Sequence, residues 1–262
     1  MVLMAPACMK TLLAIPCASR RAATPLLTTL AFAAMLAACG GSGGATGAAG
    51  IDPSALKGRW ITPSNEAPAM TAVILPDASD QASAWMLAHD SSELVKLLVR
   101  SDGSVNGMSY ALHPGNAAGQ AVAGQVTAAL TASPKRISFS GVKAKALALD
   151  QSDAMSLATV QANAAGSWSA TTGDKARFTQ WTVAASGDMA GSTTTGCNHT
   201  GNLAAMAHSS AYTVQFDERC LDGSHATFRG IATINRSKNR LTVAATTVDA
   251  ARGIAVFFSQ AR

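Results

Sequence analysis

Five histidines, at positions 89, 113, 199, 208 and 225, are the first residues to test for chemistry. An imidazole can serve as a general base or a metal ligand near neutral pH. His89 precedes Asp90, so the pair could join a distant serine in a nucleophilic triad, which only geometry can decide. Ser54-Ala-Leu-Lys57 sets a serine three residues before a lysine that could activate it. It has no Lys-Thr-Gly companion and is expected to be a chance match. The chain holds no phosphate loop or dinucleotide fingerprint. Asp77, Asp80, Asp102, Asp188 and Asp222 are spread singly, and turn formation explains them better than calcium or acid–base pairs. No catalytic residue, metal or cofactor is therefore expected, and the chain is read as non-enzymatic.

The positions of the charges narrow the reading further. The 262 residues carry 20 Lys and Arg against 15 Asp and Glu, a formal +5. Residues 1–38 contain Lys10, Arg20 and Arg21 and no acid. After Arg21 comes the apolar run Leu26–Leu36, then Ala37-Ala38-Cys39. A cationic segment, a short apolar core and small residues describe a secretory signal peptide. The run is too short to span a bilayer, which takes about 20 apolar residues. Without residues 1–38 the balance is 17 basic to 15 acidic residues, so no nucleic-acid partner is expected.

Leu36-Ala37-Ala38-Cys39-Gly40 resembles the lipobox of bacterial lipoproteins. That resemblance implies cleavage before Cys39, diacylglycerol on its thiol and an acyl group on the new amine. Multiple acyl chains suffice for stable anchoring. Gly40 rather than Asp after the cysteine resembles the outer-membrane sorting pattern, with the periplasmic or surface face left open. The Gly-rich stretch 40–50 is a flexible tether reaching roughly 20 Å.

Cysteine parity follows from this processing. Cys8 and Cys17 leave with the signal, Cys39 takes the lipid, and Cys197 and Cys220 remain. An even pair in an oxidising compartment implies a disulfide, contributing roughly 3 kcal/mol in the loop-entropy view. The alternative is metal ligation with His199, His208 or His225, none of which has zinc-site spacing.

These residues must be positioned by strands. Phe178–Ala184, Tyr212–Phe216, Ala226–Ile234, Arg240–Thr247 and Ile254–Ser259 alternate or are β-prone, with turns between them. Such spacing predicts an all-β antiparallel meander, forming two tandem related small β-barrels or sandwiches. Ser91–Leu98 reads equally as helix or strand. The halves, 56–160 and 161–262, follow the signal 1–38 and the linker 39–55. Gly58-Arg-Trp60 opens one and Gly166-Ser-Trp168 the other. Leu98–Gly107 aligns with Thr182–Gly191 and Phe139-Ser-Gly141 with Phe228-Arg-Gly230, given an insertion near Pro76–Asp90. One larger barrel or sandwich with a shared core is the alternative.

Gly-x-Trp on a first strand resembles the opening of lipocalins, and similar pairs begin other ligand-binding barrels, which makes Trp60 and Trp168 candidate binding residues. The Gly196–Gly201 segment with Cys220 and the Phe228 strand resembles uncharacterised repeat-bearing envelope lipoproteins of proteobacteria. The expected function is non-catalytic binding of a protein partner or small apolar ligand at the envelope, through barrel mouths or sheet edges. A structural role in outer-membrane assembly and an envelope hydrolase are the alternatives.

Overall fold

Tyr212-Thr-Val-Gln-Phe216 turns Tyr212, Val214 and Phe216 inward and Thr213 and Gln215 to water, the period-two pattern of a strand with one dry face. The computed structural model describes residues 50–261 apart from 113–118, 123–125, 143–145 and 173–176. Arg177–Val183 follows the same pattern. Residues 1–38, read above as a signal peptide, lie outside the described residues, as do Cys39, most of the Gly-rich stretch and His113.

The first barrel comprises β1 (Gly58–Ile61), β2 (Met70–Ala78), β3 (Gln81–Ala88), β4 (Glu93–Arg100), β5 (Ser104–Ala111), β7 (Val126–Ala132), β8 (Lys135–Ser140) and β9 (Leu147–Asp153). Each strand pairs antiparallel with the next, and β9 closes on β1. The two-residue β6 (Gln120–Ala121) lies along β5 beside β7. The second barrel runs from β10 (Gly166–Thr172) through β11 (Arg177–Val183), β12 (Asp188–Thr193), β13 (Cys197–Ala205) and β14 (Tyr212–Cys220). It continues with β15 (His225–Ile234), β16 (Arg240–Thr247) and β17 (Gly253–Gln260), which returns to β10. The chain is thus all-β, two closed antiparallel barrels in tandem. The ambiguous segment after Ser91 is strand, because Val95, Leu97 and Val99 alternate into the first core.

Both barrels open with the same device. A 3-10 turn, Pro53–Leu56 in one and Gln161–Ala164 in the other, precedes the Gly-x-Trp strand. Trp60 donates its indole N–H to the Leu56 carbonyl at 2.9 Å, and Trp168 donates to Ala164 at 2.8 Å. Gly58 adopts φ +155°, and a Cβ there would stand 2.7 Å from the Asp153 carbonyl on the closing strand. A side chain would wedge the seam between first and last strands apart.

The internal match between the halves is not the one the turn motifs suggested. Leu98–Gly107 spans the β4–β5 hairpin, whereas Thr182–Gly191 spans β11–β12, the second and third strands of their barrel. Phe139 and Phe228 likewise lie on seventh and sixth strands. The supposed insertion near Pro76–Asp90 is the β2–β3 hairpin itself. Asp/Ser-Gly turns recur at several hairpins, so a match between turns does not fix strand order.

Each barrel is filled by its own side chains. Trp60, Met70, Ile74, Met86 and Phe139 fill the first, and Trp168, Trp181, Phe216, Phe228 and Phe258 the second. A third cluster lies between them. Val73, Leu75, Trp85, Leu94 and Tyr110 on the outer wall of the first barrel meet Ala211, Ile231 and Ala244 of the second. Tyr110 is pinned there by its hydroxyl, which donates to the Ala250 carbonyl at 3.1 Å. Burial pushes that phenol's pKa up.

Candidate functional site

Glu218, His199, Arg177 and Arg252 form a group of ionisable side chains at one end of the second barrel. In the β13–β14 ladder Cys197 faces Cys220, His199 faces Glu218 and Gly201 faces Phe216, so all three pairs share the inner face. Cys197 and Cys220 form a disulfide. Trp181 donates its indole N–H to His199 Nδ1 at 2.8 Å. This bond assigns the neutral ring's proton to Nε2, which lies 3.2 Å from Glu218 Oε2 and donates to it. Arg252 donates to Glu218 Oε1 at 2.9 Å and Arg177 approaches Oε2 at 3.4 Å.

The His199 hydrogen bond and the Arg252 guanidinium hold the Glu218 carboxyl at a pKa of about 2, against the opposing effect of burial. Both nitrogens of His199 are occupied, so neither can take a proton from a hydroxyl. The sulfurs beside Glu218 are joined to each other and supply no thiolate for a metal. This polar network closes a barrel end, with His199 and Glu218 fully partnered at its centre.

The remaining sequence candidates fall in separate places. His208 lies exposed in the β13–β14 turn and His225 exposed at the start of β15, at opposite ends of the barrel. Ser54 donates its hydroxyl to Asp52 at 2.7 Å, while Lys57 donates to the His208 carbonyl at 3.1 Å. The Ser-x-x-Lys pair is therefore part of a turn cap and an inter-barrel tie, not a nucleophile. Asp102 and Asp222 accept the N–H two residues ahead at 2.8 and 2.9 Å, as turn-forming aspartates do. Trp60 and Trp168 are fully buried and present no surface to a ligand. Their role is to plug the barrels, a correction to their reading as binding residues.

The outer walls of the barrels form a different feature. A cleft of about 330 Å³ lies where β2 and β3 meet β15, β16 and β17. Val73, Trp85 and Leu87 form one apolar side, with Ile231, Ala244 and Phe257 the other. Trp85 alone among the four tryptophans borders it. The Lys96 ammonium caps Trp85 at 4.7 Å from the ring centroid, and burial lowers the pKa of that amine. Arg59, His89, Asn235 and Arg240 add polar groups to the lining. His89 Nε2 is 2.9 Å from the Thr71 hydroxyl.

The cleft exists because three strands are buried on both faces. Along β2, Met70, Ala72 and Ile74 point into the barrel while Val73 and Leu75 point out, and all five are buried. β3 and β16 are likewise buried over five consecutive residues. Losing alternation on an antiparallel strand means that something covers the second face. That signal was present at Thr71-Ala-Val-Ile-Leu75 and could have marked the wall.

In comparisons with known proteins the chain matches no family model, no curated protein and no solved structure.

Proposed function

We propose that this chain is a non-catalytic binding protein of the bacterial cell envelope, anchored by lipid at Cys39, that takes a small apolar ligand in the cleft between its barrels. One observation carries the binding site: both barrel interiors are filled with side chains, while the apolar cleft outside them opens to solvent. Its volume lies at the lower end of the range of about 300–1,000 Å³ seen for ligand sites. The site therefore moves from the barrel mouths to the outer walls. Fluorescence of the neutral probe phenylnaphthylamine should rise on binding. Ala244→Trp, which fills the cleft, and Leu87→Gln, which wets it, should each abolish the rise. A rise that survives both substitutions would place the apolar site elsewhere. The anchor rests on the lipobox resemblance, and Cys39→Ser should end both palmitate labelling and membrane retention.

A second reading, docking of an envelope protein, is favoured by two exposed side chains at one end of the second barrel. Leu221 in the β14–β15 turn is 88% exposed and Val248 in the β16–β17 turn is 62% exposed. A contiguous exposed apolar patch marks a contact surface. Site-specific crosslinking from position 221 in cells should then give one discrete adduct, absent from a Val248→Asp variant. The hydrolase alternative centres on the Thr71–His89 contact. Ester hydrolysis lost in Thr71→Val would replace the binding reading.

A further inference from the structure

The cleft contains cations and no acids. Arg59 on β1 and Arg240 on β16 border it from opposite barrels, with His89 in the same lining. No aspartate or glutamate lines it. Three guanidinium groups find carboxylates elsewhere among the described residues, Arg252 and Arg177 at Glu218 and Arg136 at Asp150. Arg59 and Arg240 have no ion-pair partner among the described residues. Two cations beside the apolar surfaces of Trp85, Leu87 and Phe257 leave an unmatched potential in a partly dry recess.

Resting on the cleft reading above, we propose that the ligand is a single-chain aliphatic carboxylate. Its chain lies against Trp85, Leu87 and Phe257, and its head faces Arg59 and Arg240. A planar guanidinium fork matches a carboxylate, and the charge-assisted bond gains strength where apolar walls exclude water. The volume of about 330 Å³ admits one aliphatic chain rather than the several chains of a membrane lipid.

Calorimetric titration of the whole chain with decanoate and with decanol tests this. Decanoate should bind roughly tenfold or more tighter than decanol. In the Arg59→Gln/Arg240→Gln double variant that advantage should vanish while decanol affinity stays unchanged. Phe257→Glu, at a position already 39% exposed and so tolerant of a polar group, should repel decanoate and weaken decanol less. Equal affinity for the two probes, or undiminished decanoate binding in the double variant, overturns the carboxylate assignment and leaves the cleft as an apolar site. Failure of both probes overturns the cleft reading with it and leaves the groove to a protein segment.

Discussion

Glu218 is the residue whose ionisation is most strongly tied to the fold. Its carboxyl titrates at about 2 in the barrel against 4.5 for a free glutamate, chiefly through His199 and Arg252. The folded form thus binds fewer protons than the unfolded form between those limits. The contribution is full above pH 4.5, shrinks as pH falls and is gone near pH 2. The shift corresponds to roughly 2–3 kcal/mol, allowing for water at the Arg252 side. Glu218→Gln should lower stability at neutral pH by that amount and flatten its decline between pH 4.5 and 2. Denaturant titrations across that range check it, and parallel curves for the two proteins would show that the ion pair does not set the slope. None of this network was legible as such in the sequence. His199 and Glu218 are 19 residues apart, and only the β13–β14 register makes them neighbours.

At the scale of elements, the repeated unit is a 3-10 turn, a glycine and a tryptophan. Trp60→Phe keeps most of the ring but leaves the Leu56 carbonyl without its donor in a dry core. A loss of about 1–3 kcal/mol follows, and Trp168→Phe should cost the same within error because its bond to Ala164 is equivalent. Thermal unfolding of the two variants makes the comparison. The disulfide is a second element-scale tie, joining opposed positions of one hairpin whose cysteines are 23 residues apart in sequence. Replacing both cysteines by alanine should remove about 3 kcal/mol, measured as a lower denaturant midpoint. The pair was legible because just two cysteines follow Cys39. The tryptophans were legible as barrel openings, and burial is the commoner fate of a tryptophan in a small β-core; the bond from each indole to the preceding turn was not legible.

For the whole molecule, the interface between the barrels decides both shape and site. Tyr110 packs its ring on Gly253 and bonds Ala250, both in the other barrel. Tyr110→Ala should cost about 3–5 kcal/mol and loosen the interface while sparing the two cores. Calorimetry should show one unfolding transition in the parent and two in the variant. A single transition in both would mean that the remaining inter-barrel contacts suffice to couple the barrels. The same substitution should weaken ligand binding, since the cleft is a continuation of that interface.

From the amino-acid sequence came five strands of the second barrel, their turns and the all-β class, because alternation and Asp-Ser turn chemistry are local. The disulfide pair was legible as the two cysteines that follow Cys39. The tertiary structure alone decided which outward faces are dry. Val73 and Leu75 lie more than 150 residues from Ile231 and Ala244, and no local pattern states that these apolar faces meet. An outward apolar residue is stable only against a covering partner, so the cleft and its unpaired arginines follow from how the two barrels pack.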